Sequence, residues 1–241
     1  MKITRESLGL ELTALCVPKN AVLMVHASLR KLGPVEGGAE AVLDVLLEAV
    51  GPGGTLLMLL CASDAEPFDP LTTPADEEVG VLAEVFRRRA GTLVNDHAAA
   101  RFGAYGPRAN ELLEPTPLHD YYGSGSVLER FAGAGGLVLR LGANVDTVTL
   151  THWAEYRANL ARKRRVRSRY VRADIGEQWI ESLDDSGGVA EWSEGDYFSQ
   201  ILLDYLAAGH ARTGRVGNCA AELFSAEHYA EFAVRWMEAR L

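Results

Sequence analysis

His152 and Glu155 form the pair in this sequence best suited to proton transfer. Three residues of helix bring both side chains to one face, where a carboxylate can fix the tautomer of an imidazole or raise its basicity. An imidazole with an ordinary pKa of about 6.5 takes a proton from an attacking nucleophile near neutral pH, which is the work of a general base. His-x-x-Glu also arises by chance, and a surface or interface contact fits the same pair. A second histidine stands in Val25-His-Ala-Ser-Leu-Arg30, just past the C-terminal end of a predicted strand. In open α/β sheets, loops at that edge present backbone amides and small side chains to ligands. His26 satisfying a loop backbone and Ser28 capping a turn fit equally well, and the two do not make a triad. A third, His97, follows Asn95 and Asp96 and precedes Ala98, Ala99 and Ala100, small residues that allow close approach of a ligand or tight packing.

Gathering His26, His97 and His152 with Glu155 or an Asp gives a metal-dependent hydrolase as an alternative reading. None of them has the close ligand spacing of a His-Glu-x-x-His helix. Gly123-Ser-Gly-Ser-Val-Leu128 starts like a dinucleotide fingerprint, but it lacks the third glycine and a preceding apolar strand, and no phosphate-binding Gly-x-x-x-x-Gly-Lys-Ser/Thr loop occurs. The run from Arg162 to Arg172 contains no acid, and fits either a phosphate-bearing cofactor or a solvated strand face paired with acids elsewhere. Asp184 and Asp185, before Ser186-Gly187-Gly188, read as turn residues unless they face a cationic ligand.

These residues need elements to hold them. The spacing of Leu8, Leu12 and Leu15 behind Thr4 predicts an opening helix that ends at Pro18-Lys19-Asn20. Ala21 to Val25 is a buried strand, 39–50 an amphipathic helix stopped by Gly51-Pro-Gly-Gly54, and Thr55 to Leu60 a second strand. A turn-rich stretch through Pro67, Pro70 and Pro74 precedes a helix over Gly80 to Arg89. A strand over Leu137 to Leu141 leads to a helix over Thr149 to Leu160. Arg165 to Arg172 and Gln178 to Ser182 suggest an antiparallel hairpin. Helices over Asp196 to Ala208 and Ala226 to Arg240 close the chain, with a loop from Gly209 to Cys219 between them. The alternation predicts an α/β fold, a three-layer α/β/α arrangement with a central mixed sheet and an antiparallel extension. No repeat or linker marks a boundary, so residues 1–241 read as a single domain, with any break between packed subdomains near 165.

The chain has 241 residues, 48% of them apolar, and 33 acids against 24 bases give a net charge of −9. Eight of the bases lie between Arg157 and Arg172, which leaves 16 bases against 33 acids elsewhere. Such a surface disfavours nucleic acid and anionic membrane and favours a polycationic small molecule. Cys16, Cys61 and Cys219 are odd in number and lack Cys-x-x-Cys spacing, as expected in a reducing cytoplasm, and no segment reads as an export signal or membrane span.

Taken in order, the blocks Val25-His-Ala-Ser-Leu-Arg30, Gly33-Pro-Val-Glu-Gly-Gly-Ala39, Gly51-Pro-Gly-Gly-Thr55, Phe68-Asp-Pro70, Gly123-Ser-Gly-Ser-Val-Leu-Glu-Arg-Phe131, Leu141-Gly-Ala143, Thr149-Leu-Thr-His-Trp-Ala-Glu155, Lys163-Arg-Arg-Val166, Asp185-Ser-Gly187 and Gly214-Arg-Val-Gly217 cover nearly the whole chain. In these blocks the sequence resembles the aminoglycoside 3-N-acetyltransferase family, whose fold is distinct from the GNAT acetyltransferases. The GNAT pattern is absent, since Arg30-Lys-Leu-Gly33-Pro-Val35 ends in Val. The resemblance implies acetyl-coenzyme A as donor, with no metal, the 3-amino group of a 2-deoxystreptamine aminoglycoside as acceptor, and a resistance role; a biosynthetic or self-protecting enzyme fits the same pattern. It implies His152 as the base that frees the amine for direct attack on the thioester, with Glu155 orienting it or binding a neighbouring ammonium. His26, Ala27, Ser28, Leu29 and Arg30, with Gly33, Val35, His97 and the turn Ser126, Val127 and Leu128, are implied to hold the coenzyme. Asp69, Asp146 and Asp185 are implied to bind acceptor ammonium groups. Three departures bear on the acceptor range. The family's Arg-Ser-x-His-Pro element is Val94-Asn-Asp-His-Ala98, its Ser-Pro is Ser126-Val127, and the connection between Leu60 and Phe68 is shorter than in many relatives. The altered element around His97 also keeps open a non-catalytic protein that binds coenzyme A or sequesters aminoglycosides.

Overall fold

A computed structural model describes residues 2–62 and 67–241, so the short connection between Leu60 and Phe68 lies partly outside the described residues. Helix α1 (Arg5–Ala14) opens with Thr4 and Ser7 in a reciprocal capping box. Strand β1 (Val22–Ala27), the short α2 (Leu29–Leu32) and α3 (Gly38–Val50) lead to β2 (Thr55–Leu59). A 3-10 turn (Glu77–Val79) precedes α4 (Val81–Arg88), followed by β3 (Leu93–Val94), β4 (Phe102–Tyr105), α5 (Ala109–Leu112), α6 (Val127–Gly133), β5 (Leu137–Leu141) and α7 (Leu150–Arg157). The hairpin β6 (Arg165–Arg172) and β7 (Gly176–Leu183), then α8 (Tyr197–Ala207), β8 (Arg212–Val216), β9 (Cys219–Ser225) and α9 (Ala226–Arg240) complete the chain.

The main sheet has the order β3-β4-β2-β1-β5-β9-β8. Its centre, β2-β1-β5, is parallel, and the strands on both flanks are antiparallel, so the sheet is mixed as expected. Strand β1 is apolar along most of its length because both faces of the sheet are covered. Leu23, Val25, Leu139 and Leu141 pack with α1, α3 and α4 on one face. Met24, Leu57, Val138 and Phe224 pack with α5, α6, α7, α8 and α9 on the other. The result is the three-layer arrangement, with β6-β7 as a separate two-stranded extension.

The chain leaves β1 toward β2 on one side and β5 arrives on the other, which makes the C-terminal end of β1 a topological switch point where ligands bind in open α/β sheets. Three expectations need correction. Strand β1 continues to Ala27, so His26 lies within the strand rather than past its end. The segment read as a loop from Gly209 to Cys219 forms β8 and the turn into β9, a polar edge hairpin whose exposed residues carry no apolar alternation. Ser126 to Leu128 is not a free turn, because Ser126 caps the first turn of α6. Strands β3 and β4 were not anticipated at all, being two and four residues long.

Candidate active site

His152 and Glu155 stand one turn apart on α7, and His152 Nδ1 lies 2.9 Å from Glu155 Oε2. An ionised carboxylate can only accept, so Nδ1 carries the proton and Nε2 keeps its lone pair. The hydroxyl of Tyr197 donates to the other oxygen, Glu155 Oε1. Both oxygens of this buried carboxylate are therefore engaged within the protein. Tyr122 stacks on the His152 ring at 5.1 Å and 9°, and Phe198 meets it at 4.9 Å. Two aromatic contacts and one hydrogen bond thus hold the imidazole in a single pose while it faces a cleft.

That cleft has a volume of about 1700 Å³ and opens at the switch point. Its walls come from the ends of β1 and β2, from residues 143–149 after β5, from the turn before α4, and from residues 185–198 before and into α8. Six carboxylates line it, Glu77, Glu78, Asp146, Asp185, Glu191 and Asp196, against three cations, Arg30, Lys31 and Arg240. The acid excess of the chain is therefore carried into the cleft. Tyr121 donates to Asp185 Oδ2 at 2.6 Å and fixes that carboxylate at the cleft wall. Burial and the neighbouring Asp185 charge keep the Tyr121 phenol protonated far above its ordinary pKa.

Of the residues implicated by sequence, His26, Ala27, Ser28, Leu29, Arg30, Asp146, His152 and Asp185 line the cleft. The others are placed elsewhere. Gly33 ends α2 with φ +99°, and Val35 bridges to Ile3. Ser126, Val127 and Leu128 are buried in the α6 cap and core. Asp69 receives the backbone N–H groups of Leu71 and Thr72 in a turn. His97 is a buried connector: Nδ1 accepts from the N–H of Ala100 at 2.8 Å, and Nε2 donates toward the carbonyls of Pro117 and Leu118. Of its three alanine neighbours, Ala98 and Ala100 are buried, and Ala99 lines the cleft. The basic run is absent from the cleft lining, and five of its arginines pair with acids: Arg164 with Asp184 and Glu191, Arg165 with Asp120, Arg167 with Glu181, Arg169 with Glu177, and Arg172 with Asp96 and Asp174. Among the described residues, no three His, Cys, Asp or Glu side chains are grouped to hold a metal ion. Sequence reasoning missed Tyr122, Tyr197, Phe198 and the carboxylates Glu77, Glu78, Glu191 and Asp196. The Asp196-Tyr-Phe198 start of a predicted helix was a usable signal for aromatics at a loop-to-helix junction.

The family model for aminoglycoside 3-N-acetyltransferase matches residues 24–238. The chain belongs to the aminoglycoside 3-N-acetyltransferase family. It is 37% identical to aminoglycoside N(3)-acetyltransferase VIII of Streptomyces fradiae, over 99% of this chain and 93% of that one. Its structure is similar to that of AAC-IIIb in a binary complex with CoASH, with a TM-score of 0.92 and 35% identity over 99% and 97% of the two chains. AAC-VIa bound to sisomicin gives a TM-score of 0.92 and 30% identity over 99% and 98%. Among the described residues of this acetyltransferase, no helix is long and apolar enough to cross a membrane.

In this acetyltransferase chain His26 is buried beside Arg140, its register partner on β5, and its Nε2 has no hydrogen-bond partner among the described residues. Burial, with a smaller push from Arg140, lowers its pKa to about 3. The unfolded chain, with a histidine pKa of about 6.5, binds a proton between these limits that the folded chain refuses, so stability falls as pH drops from neutrality. One such group costs about 2 kcal/mol between pH 7 and pH 5. Urea unfolding at the two pH values is expected to show that loss, and His26→Leu to remove most of it; an equal loss in the variant would contradict the assignment.

Proposed function

We propose that this chain transfers the acetyl group of acetyl-coenzyme A directly to the 3-amino group of a 2-deoxystreptamine aminoglycoside, with His152 as general base. Membership of the family makes it a coenzyme A-dependent aminoglycoside N-acetyltransferase. The observation that carries the reading of its base is the His152–Glu155 contact at the wall of an acid-rich cleft. His152 Nε2 takes the proton of the acceptor amine as its nitrogen bonds to the thioester carbon. The carbon–sulfur bond breaks, the electron pair leaves with sulfur, and the proton follows to the thiol. Glu155 stabilises the imidazolium that forms in between, as the third group of a base-orienting pair does.

The residues present fit both substrates. A pocket for a single drug-sized ligand measures about 300–1,000 Å³, so a cleft of about 1700 Å³ admits two ligands side by side, as direct transfer requires. Arg30 and Lys31 supply cations for the coenzyme's phosphates, and the backbone N–H groups at the start of α4, after Gly80 at φ +88°, supply further donors. Asp185, Asp146 and the neighbouring carboxylates suit ammonium groups through charge-assisted hydrogen bonds. All of these walls come from one domain spanning residues 1–241. The CoASH complex of AAC-IIIb and the sisomicin complex of AAC-VIa support the same pairing.

Purified protein with acetyl-coenzyme A and a panel of 2-deoxystreptamine aminoglycosides is expected to release free thiol with at least one of them. No release with any member would overturn the proposal. Asp185→Asn is expected to raise the acceptor KM about tenfold, the value of one hydrogen bond to a charged group, and added salt to raise it in the wild type by screening. A KM indifferent to both would remove Asp185 from acceptor binding.

A further inference from the structure

The segment that carries Asp185 into the cleft is tied to the base through one side chain, Tyr197. Its hydroxyl is the hub. It donates to Glu155 Oε1 on α7 and accepts the N–H of Val189 at 2.8 Å. Both hydrogen-bonding capacities of the phenol are used, one on the carboxylate behind His152 and one on the cleft-wall segment. Gly188 shows how closely the two are fitted. It has φ +75°, and a Cβ placed there would stand 2.7 Å from the Tyr197 hydroxyl, so a side chain at this position would push the phenol off Glu155. The next residue, Phe198, meets the His152 ring at 4.9 Å, which makes the first turn of α8 a second wall of the base. Burial and the charge of Glu155 keep the Tyr197 phenol protonated well above its ordinary pKa, so it remains a donor throughout the working range.

Resting on the reading of His152 as base, we infer that Tyr197 is a positioning residue for the reaction: it holds the Glu155 carboxylate in the rotamer that orients His152, and with Gly188 it couples that carboxylate to the acceptor-facing segment from Asp185 to Asp196. The physical reason is the burial of Glu155. A carboxylate 1% exposed with one oxygen on His152 leaves its other oxygen without water, and the phenol satisfies it. Without that donor the anion is less stable, and the His152–Glu155 pair binds its proton more tightly whichever residue carries it. The titratable and charged groups around the pair are Tyr122 stacked on His152, Tyr197, Asp196 beside Tyr197, and Lys163, which feels the Glu155 charge.

The test is the pH dependence of kcat/KM for wild type and Tyr197→Phe, with thermal melting as a folding control. The variant is expected to lose about tenfold in kcat with little change in the KM of either substrate, and its acidic limb is expected to move up by about one pH unit, the value of a hydrogen bond to a charged group. Replacing Tyr197 site-specifically by 3-fluorotyrosine, a stronger donor, is expected to move the limb down. Gly188→Ala, which keeps the hydroxyl but crowds it, is expected to move it up. In Glu155→Gln the Tyr197→Phe change is expected to have little further effect, because the two act as one unit. An unmoved limb in both the phenylalanine and fluorotyrosine proteins would overturn the inference even where His152→Ala is inactive. Near-normal turnover of His152→Ala would instead overturn the underlying reading.

Discussion

His152→Ala is expected to lower kcat for acetyl transfer by about 10²–10⁴-fold, the range that a positioned general base contributes. In the proposed mechanism the loss falls on kcat, because Nε2 acts on the amine proton only as the new bond forms. An interaction made only in the transition state lowers kcat and kcat/KM together and leaves KM in place. The variant remains folded in this account, since the ring sits at the cleft wall and the core of α7 is carried by Leu150, Trp153 and Ala154. Its removal leaves Glu155 with the Tyr197 hydroxyl as partner. Steady-state rates for both substrates check the expectation, and a loss confined to KM would contradict it.

Glu222→Ala is expected to be the most damaging single change to stability outside the apolar core. Arg140 and Glu222 face each other in the β5–β9 register in the middle of the sheet, with Arg140 Nη1 3.0 Å from Glu222 Oε2. Arg140 is 1% exposed, and its other Nη donates to the carbonyls of Ala143 and Asn144 at the floor of the cleft. Burial acts against both charges, raising the Glu222 carboxyl and lowering the Arg140 guanidinium, so neither is well placed without the other. Removing one partner of such a buried pair costs about 3–5 kcal/mol because the remaining charge is uncompensated. For a chain of this length each kcal/mol shifts Tm by about 2–4 °C, so a fall of roughly 6–20 °C is expected by calorimetry. Replacing both residues by apolar ones is expected to cost less than Glu222→Ala alone. A fall of under about 2 °C in the single variant would mean that Arg140 is hydrated.

The architecture was legible where periodicity was strong. The apolar run of β1, the amphipathic spacing of α3 and the alternating arginines of β6 each announced their element, and the order of the blocks announced the layers. The polar edge strand β8 was not legible, because an edge strand exposed on both faces has no reason to alternate. The site was legible in part for a similar reason. His152 and Glu155 are local on one helix and can be read from spacing, whereas Tyr122 and Tyr197 reach them from 30 and 42 residues away through the fold. His97 was undecided because a histidine among alanines reads alike as a ligand contact and as a buried connector, and its bonds to the Ala100 amide and the Pro117 carbonyl come from the fold. The basic run was undecided for want of its partners, which lie on the neighbouring strand and beyond it.

The position of the acetyl group on the product tests the central claim most directly. Wild-type protein, acetyl-coenzyme A and an accepted 2-deoxystreptamine aminoglycoside are incubated to completion, and the product is assigned by two-dimensional NMR. One new amide is expected, on the 3-amino nitrogen, formed in step with thiol release. An amide on another nitrogen, an ester on a hydroxyl, or thiol release without an acetylated aminoglycoside would contradict it.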